Sequence, residues 1–505
     1  MLWILLAVPV VSAMLAFALP WNWPRRGLLV VSSGAHLGLA AAAIARTPAP
    51  VLDGWIALDG TSLLFLAITS VVFFVVSIYA VGYLAHQVRV AEDPGREVPF
   101  VDYPEAVFTG CLLLFLAAMT LVIVSHHWGL MWVAVEATTL ASAPLIYFHR
   151  HPRSLVATWK YLVICSVGIA LALLGYFFLA VSAEVRALSP IHLTIADLEN
   201  HARQLDPAWL KAAFLLLLVG YGTKMGLAPL HTWLPDAHSE APSMVSALLS
   251  GVLLNCAFLA ILRGHSLLAK AGLGDFSREL LVLFGLVSMV FAAVFVIRQA
   301  DYKRLLAYSS VEHMGILSLG AGIGGIAGFG SMLHAVNHSL TKAMLFLAAG
   351  NTLHYFHTKS TLEARGLVRA LPVTALVWIA GLLAITGFPP FGPFVSELMI
   401  LKGMIDGSRI LVAVVYLVAL AAILVAMAAI VIPMVYGKPP RSESPAEASE
   451  PPAAGARPGA RSPAEPLWSA VPPLLLAAAV LVLGVYVPQP LSDFLHRAAI
   501  AVGAE

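Results

Sequence analysis

The sequence predicts an all-α polytopic membrane protein, and three observations lead to this fold class. Of its 505 residues, 60% are hydrophobic and only 11% are charged, and the mean hydropathy is +0.89. A soluble domain carries about 25% charged residues. The apolar runs reach the ~20 residues that a helix needs to cross the hydrocarbon layer. They are too long for the alternating ~10-residue strands of an outer-membrane barrel.

Apolar runs separated by charges, prolines and glycines predict about fourteen transmembrane helices. The first run lacks a basic leader and a cleavage site, so we expect it to remain as a helix and not to be removed as a signal peptide. The run between 303 and 323 ends in a glycine-rich stretch that could also form a loop. The predicted spans are 1–20, 27–46, 61–84, 106–125, 128–149, 156–181, 209–230, 242–263, 279–298, 303–323, 329–356, 371–404, 409–436 and 468–487.

One segment has the composition of a linker and not of a membrane helix. Residues 437–466 are rich in Pro, Ala, Ser and Glu, which predicts disorder. They separate a membrane domain, residues 1–436, from a last transmembrane helix and short tail, residues 467–505. The loop 182–208 is expected to hold a short surface helix.

Basic residues indicate the orientation of the chain in the membrane. With the N-terminus outside, 17 of the 29 Lys and Arg residues lie in cytoplasmic loops and 10 lie in the opposite loops. This bias favours a bacterial cell (inner) membrane protein with both termini on the non-cytoplasmic side.

Composition and motifs exclude several classes of function. A net charge of +2 argues against a nucleic-acid binder. Cys111, Cys165 and Cys256 each stand alone in an apolar run, so the chain offers no iron–sulfur site of its own. The sequence also lacks a P-loop and a CxxCH haem motif, and no GxGxxG opens a βαβ unit. We therefore expect no cofactor, no bound metal and no catalytic redox centre within this chain.

Two ionisable residues of the first half stand in apolar runs, where a charge costs at least ~2.5–3.5 kcal/mol. Glu136 has no cation near it in sequence, and Lys224 is followed by Pro229, which breaks the helix at mid-membrane depth. A desolvated lysine can exchange a proton, which suits a proton pathway. The alternative is structural, with neighbouring hydroxyl groups satisfying Glu136, or Glu136 pairing with Lys224.

A column of basic side chains follows in the second half. His334, His338 and Lys342 are spaced four residues apart, so they share one helix face. Histidine titrates near neutral pH, and such a column suits proton relay. The HxxxH spacing is also compatible with a metal site, but HExxH is absent and no third ligand is evident in the sequence.

Three prolines that precede Glu397 break its helix. This mirrors the first half, where Pro229 comes after Lys224. Broken helices that each bear an ionisable residue, one in each half of the chain, are typical of an internal repeat. His231, His238 and Glu240 lie near a membrane boundary, where they could admit or gate protons or simply cap a loop.

The residues just discussed carry a family resemblance. The stretch 223–257, which contains LPDAHSEAP, resembles the antiporter-like membrane subunits of respiratory complex I, of multisubunit Na⁺/H⁺ antiporters and of membrane-bound [NiFe] hydrogenases. The segments DYKRLLAYSSVEHMGI and LHAVNHSLTKAMLF match the same superfamily. The segments WVAVEATTLASAP and PPFGPFVSELM are most similar to the hydrogenase-4 component F branch.

The resemblance implies two inverted five-helix repeats, roughly 106–263 and 279–436, each with a broken helix. It also implies a polar axis in the plane of the membrane, along which protons pass. The family positions fall on Glu136, Lys224, His334, His338, Lys342 and Glu397. Many relatives carry a histidine or lysine in the eighth helix, where this chain has Ser250 and Asn255.

The function implied is that of a proton-translocating membrane subunit of a redox-driven complex, of hydrogenase-4 or complex I type. Its expected partners are the lipid bilayer, other membrane subunits and a soluble hydrogenase-like redox module. The alternatives are a cation/proton antiporter subunit, a membrane partner of a zinc enzyme that accumulates inorganic carbon, and a scaffold that moves no ions.

Overall fold

The computed structural model describes residues 1–91, 104–185, 192–438 and 465–501, which fold into a bundle of helices. Ten of these helices are long and apolar enough to span a membrane, and two shorter ones are also apolar. The predicted all-α membrane fold class is confirmed. The predicted linker, 437–466, lies outside the described residues except at its two ends.

The first half of the bundle is built from long apolar helices and one short one. The short helix α7 lies in the loop where the sequence predicts a surface helix, and two of its six residues are buried. The helices are α1 (Leu2–Ala18), α2 (Asn22–Ala45), α3 (Gly60–Ala91), α4 (Glu105–Val124), α5 (Trp128–Ile146), α6 (Pro152–Glu184), α7 (Ile195–Asn200) and α8 (Pro207–Met225).

The helix that carries Lys224 breaks where the sequence predicts. Helix α8 ends at Gly226, which adopts the left-handed conformation (φ 87°) that glycine tolerates best. The chain then turns through Pro229 and resumes as α9 (Trp233–Glu240). The indole N–H of Trp233 donates to the carbonyl of Thr223 (2.8 Å), which also accepts from the backbone N–H of Gly226 (3.2 Å).

The helix after this break contains a local widening. Helix α10 (Ser243–Leu248) continues through one π-helical turn, Leu249–Leu253, into α11 (Leu254–Lys270). The most apolar window of this segment is buried on every side. A π turn inside a helix re-aims its side chains and is common at functional sites.

The second half contains the other broken helix. Helices α13 and α14 are separated by Gly324 alone (φ 76°), so the glycine-rich stretch forms helix and not a loop. The break before Glu397 falls between α16 and α17. The remaining helices are α12 (Gly274–Val296), α13 (Tyr302–Ile323), α14 (Gly325–Phe356), α15 (Leu367–Ala370), α16 (Pro372–Ile385), α17 (Gly392–Asp406), α18 (Ile410–Tyr436), α19 (Leu467–Val485) and α20 (Gln489–Ala501).

The predicted short tail is helical, which the sequence analysis missed. Helix α20 buries Phe494, Leu495 and Ala498, and it packs against the start of α3, where the Thr61 hydroxyl donates to the carbonyl of Ala498 (3.3 Å). Its apolar residues form one face only, so it lies along the bundle as an amphipathic helix.

Ion pairs gather on two sides of the bundle, which we name by one residue each. The Glu240 side holds Glu240 with Lys359 (2.8 Å) and the ion pair of Arg26 with Glu105 (2.7 Å). The Asp59 side, where α3 begins and α11 ends, holds Asp59 with Arg263. The buried ionisable groups described next lie in the apolar bundle between these two sides.

Candidate functional site

Glu136 and Lys224 are brought together by a hydroxyl group and not by direct contact. Helix α5 presents Glu136, whose carboxylate accepts hydrogen bonds from Ser166 of α6 (2.9 Å) and from Thr139 one turn along (3.3 Å). The Lys224 ammonium donates to the same Thr139 oxygen (2.8 Å). No ion pair within 4.0 Å joins the two charges, so Thr139 is the bridge between them.

Lys224 is fully buried at the end of α8. Its ammonium also donates to the Tyr161 hydroxyl (2.6 Å), which lies 2.7 Å from the Ser142 hydroxyl. The helix break places the lysine in the last turn of α8, where the partial negative charge of the helix end favours a cation. Hydroxyl groups that both donate and accept surround the lysine, and this is the chemistry that passes a proton on.

The centre of the bundle connects three helices through small polar side chains. Ser250, in the π turn, lies 2.8 Å from the Ser310 hydroxyl of α13. Asn255, one turn further, donates to the Ser339 hydroxyl of α14 (2.7 Å). The two positions where many relatives carry histidine or lysine are therefore hydrogen-bonded links between helices. Within the described residues, no side-chain hydrogen bond joins the Lys224 cluster to Ser250.

Lys342 of α14 lies next to a buried carboxylate that the sequence analysis missed. Its ammonium donates to the Leu306 carbonyl (2.7 Å) and to the Ser309 hydroxyl. Glu312 of α13 is fully buried, and neither of its carboxylate oxygens has a hydrogen-bond partner. Its charge interacts electrostatically with that of Lys342, so Glu312 is the nearest candidate counter-charge.

The predicted histidine column contacts a further histidine. His313 of α13 places Nδ1 at 2.9 Å from Nε2 of His334, and its other nitrogen lies 3.1 Å from the Ile385 carbonyl. His338, one turn along α14, has its ring centre 5.3 Å from that of His313, and neither of its nitrogens has a hydrogen-bond partner. His313 was not singled out in the sequence.

Glu397 lies beside His313 and His334. The break between α16 and α17 brings its carboxylate against Gly387, whose φ of 64° and missing side chain leave the space that the carboxylate fills. Glu397 is buried, and its Oε1 has no hydrogen-bond partner. Ligand atoms of His313, His334 and Glu397 lie within 4.8 Å of one another.

The three predicted boundary residues have different surroundings. Glu240 pairs with Lys359 and lies 3.3 Å from His151. His238 is fully buried, stacks on Phe346 with ring centres 5.0 Å apart, and has no hydrogen bond at either nitrogen.

His231 is buried beside Phe291 of α12 and Tyr308 of α13, and its Nδ1 has no hydrogen-bond partner. His238 interacts electrostatically with Lys342.

Lys303, near the start of α13, is buried and was not singled out in the sequence. Its ammonium donates to the carbonyls of Ser239 (3.2 Å) and Ala241, directly beside His238 in the chain. Asp301 does cap α13 as its position suggests, by accepting from the backbone N–H groups of Lys303 (2.7 Å) and Arg304 (3.1 Å).

Comparison with known proteins gives a consistent picture. The family profile described as "NADH:quinone oxidoreductase/Mrp antiporter, TM" matches residues 125–424. The chain is 39% identical over 359 residues to a hydrogenase-4 component F homolog of Methylacidiphilum infernorum, covering 70% of this chain and 74% of that protein. It is 29% identical over 388 residues to hydrogenase-4 component B of Escherichia coli, covering 74% of this chain but only 54% of that longer protein.

Solved structures share the fold. A chain of the archaeal membrane-bound sulfane sulfur reductase aligns with a TM-score of 0.83 at 22% identity, covering 99% of this chain and 97% of that one. A chain of the Mrp complex from Dietzia aligns with a TM-score of 0.81, also at 22% identity, covering 99% and 96%.

Proposed function

The chain belongs to the family of NADH:quinone oxidoreductase and Mrp antiporter membrane subunits, and from that premise we propose that it moves protons along a buried axis as part of a redox-driven complex. The observation that carries the proposal is the set of buried ionisable groups inside an otherwise apolar bundle. Lys224, His338 and Lys342 are each fully buried, and Glu397 nearly so.

The cost of such burial supports a functional role. Each intramembrane charge costs at least ~2.5–3.5 kcal/mol, and a structural role would be filled more cheaply by hydrogen-bonded hydroxyl groups. Glu312 and His338 lack hydrogen-bond partners altogether, so satisfying the fold does not account for them. Burial and nearby charges shift the pKa of an ionisable group, and such shifts are common where a group gains and loses a proton as part of its function.

The first step of the proposed mechanism runs through Thr139. When the Lys224 ammonium is charged, Thr139 accepts from it and donates to Glu136, which holds the three groups in register. A change of charge or hydration beside Glu136, which is only partly buried, weakens this arrangement. The Lys224 proton then leaves through the Tyr161 hydroxyl toward Ser142.

The second half of the axis would pass protons between Lys342, the three histidines and Glu397. His313 lies within ring-contact distance of both His334 and His338. The hydroxyl links at Ser250 and Asn255 join the helices in between, and water would bridge from Lys224 to Ser250.

We further propose that protons reach the axis from the Glu240 side. A cavity of about 500 Å³ there is lined by Glu240, Asp301 and Lys359. Buried Lys303 and His238 follow inward, and His238 interacts electrostatically with both Lys303 and Lys342. This sequence of groups leads from the surface to the axis, and it would lie on the cytoplasmic side if both termini are outside.

The proposal for topology is fourteen crossings in two inverted repeats of five. The number is supported when three pairs of helices are each counted as one interrupted crossing: α8 with α9, α10 with α11, and α16 with α17. The two interruptions with proline turns, one in each half, support the repeat.

The assembly is tested by isolating the chain, tagged at one terminus, from its native membrane and identifying by mass spectrometry the proteins that accompany it. Untagged membranes are the control. The proposal expects other membrane subunits together with a hydrogenase-like redox module. Recovery with small membrane subunits alone would refute the redox assembly in favour of a cation/proton antiporter, and recovery with a single zinc protein would do so in favour of carbon accumulation.

A further inference from the structure

Three ligand-type side chains from different helices converge in the buried centre of the second half. His313 comes from α13, His334 from α14 and Glu397 from α17, and each is at most 5% exposed. One ligand atom of each lies within 4.8 Å of the other two. The sequence showed the HxxxH pair, His334 and His338, without a third ligand. The fold instead places His313 and the Glu397 carboxyl group beside His334.

Each imidazole is held by an oxygen on its outer side. The Ile385 carbonyl can only accept, so Nε2 of His313 donates to it (3.1 Å). The Ser396 hydroxyl lies 2.9 Å from Nδ1 of His334. A neutral His313 therefore presents an unprotonated Nδ1 toward Nε2 of His334.

These two facing nitrogens lie 2.9 Å apart. The lone pair on Nδ1 of His313 can accept a proton from His334 or bind a cation. The Glu397 carboxyl group reaches the same space, and its Oε1 is buried without a hydrogen-bond partner. The cluster thus offers two imidazole nitrogens and a carboxyl oxygen to one point that all three side chains reach.

We propose that His313, His334 and Glu397 form a site for a divalent transition metal ion of the zinc class. Two imidazoles and one carboxylate are a common ligand set for Zn²⁺, and are too nitrogen-rich for Mg²⁺ or Ca²⁺. Zn–N bonds of about 2.0–2.1 Å in tetrahedral geometry place two nitrogens roughly 3.3 Å apart, so the gap of 2.9 Å needs to open by only a few tenths of an ångström.

The surrounding groups fit this assignment. Ligating histidines usually donate their second N–H to a carbonyl or another oxygen, which fixes the ring. Ile385 and Ser396 play that part here. Because the metal would occupy the point at which the axis needs a shared proton, metal binding and proton passage exclude each other. The site therefore makes the protein sensitive to inhibition by zinc.

The test is zinc binding by the full chain, purified in detergent through a tag that contains no histidine. Equilibrium dialysis against Zn²⁺ measures stoichiometry and affinity for the unaltered chain and for the variants His334→Gln and Glu397→Gln. His36→Gln is the matched control, because His36 is equally buried but bonded to the hydroxyls of Thr120 and Ser70. We expect one tight site that each of the first two variants weakens by about tenfold or more, and that the control leaves unchanged.

X-ray absorption at the zinc edge gives a second readout that needs no variant. The proposal expects a first shell of nitrogen and oxygen with two imidazoles. An unaltered chain without a tight zinc site, a site that survives both variants, or a first shell with any other number of imidazoles would each overturn the proposal. These readouts do not depend on proton transport, so the proposed function can fail or hold independently.

Discussion

The substitution Thr139→Val tests the bridge between Glu136 and Lys224 while leaving both charges in place. Valine has nearly the shape of threonine but cannot accept from the ammonium or donate to the carboxylate. Lys224 keeps its hydrogen bond to Tyr161 (2.6 Å) and loses the one to Thr139 (2.8 Å). The change therefore removes one link of the proposed path and little else.

The magnitude follows from the hydrogen bond that is lost. A hydrogen bond to a charged group contributes about 1.5–3 kcal/mol, and each 1.36 kcal/mol changes a rate about tenfold. Because Thr139 couples the charge of Glu136 to Lys224 in the proposed mechanism, Thr139→Val should slow translocation by about 10- to 100-fold.

The assay is proton uptake into liposomes that contain the complex isolated through this chain, followed with a pH-sensitive dye. Thr139→Ser, which retains the hydroxyl, should restore translocation. Thr138→Val is the matched control, because the Thr138 hydroxyl bonds to the Val135 carbonyl of its own helix. Translocation by Thr139→Val at the rate of Thr138→Val would refute the bridge.

Three further predictions concern the middle, the far end and the periphery of the axis. Asn255→Leu removes the link to α14 and should lower translocation about fivefold, the effect of a hydrogen bond of about 1 kcal/mol. Gly387→Ala forces the Glu397 carboxylate to move, since the added Cβ would lie 1.9 Å from its Oε2; translocation should fall as it does in Glu397→Gln. Asp59→Asn should lower the thermal unfolding temperature at pH 7, and by progressively less as the pH falls below about 4. Burial alone would raise the pKa of Asp59, but the Arg263 guanidinium holds it well below its usual range; the stability it contributes is present above about pH 4 and is lost as the pH falls through the folded-state pKa.

Each of these predictions has a control and a contradicting result. Gly38→Ala, whose added Cβ would meet nothing within 4 Å, separates displacement of Glu397 from a general effect of alanine. Unchanged translocation in Gly387→Ala or in Asn255→Leu would argue that protons pass elsewhere. A loss of thermal stability in Asp59→Asn that does not diminish as the pH is lowered below about 4 would contradict the charge argument.

The sequence was sufficient for the features that depend on local chemistry. Apolar runs located the helices, prolines located the two breaks, and the cost of a charge in lipid marked Glu136, Lys224 and Glu397 as unusual. The spacing of His334, His338 and Lys342 placed them on one face. These inferences need only helix geometry and solvation, which a single sequence contains.

The features that depend on contacts between helices were not predictable. Glu312 and His313 were not singled out in the sequence, where they are neighbours and therefore project from different faces of α13. Both are nevertheless buried, because α13 is surrounded by protein almost throughout its length. The π turn at Ser250 and the bridging role of Thr139 likewise depend on partners that lie far away in the chain. The opposite charges of Glu136 and Lys224 suggested a direct ion pair. The structure instead shows the Thr139 hydroxyl hydrogen-bonded to both.

Proton translocation by the isolated complex in liposomes, compared between Lys224→Ala and Lys211→Ala, tests the central claim most directly. Both lysines lie on α8, but Lys224 is buried in the axis whereas Lys211 is exposed. A buried axis predicts that Lys224→Ala abolishes translocation while the complex still assembles, and that Lys211→Ala translocates as the unaltered chain does. Translocation by Lys224→Ala at the unaltered rate would contradict it.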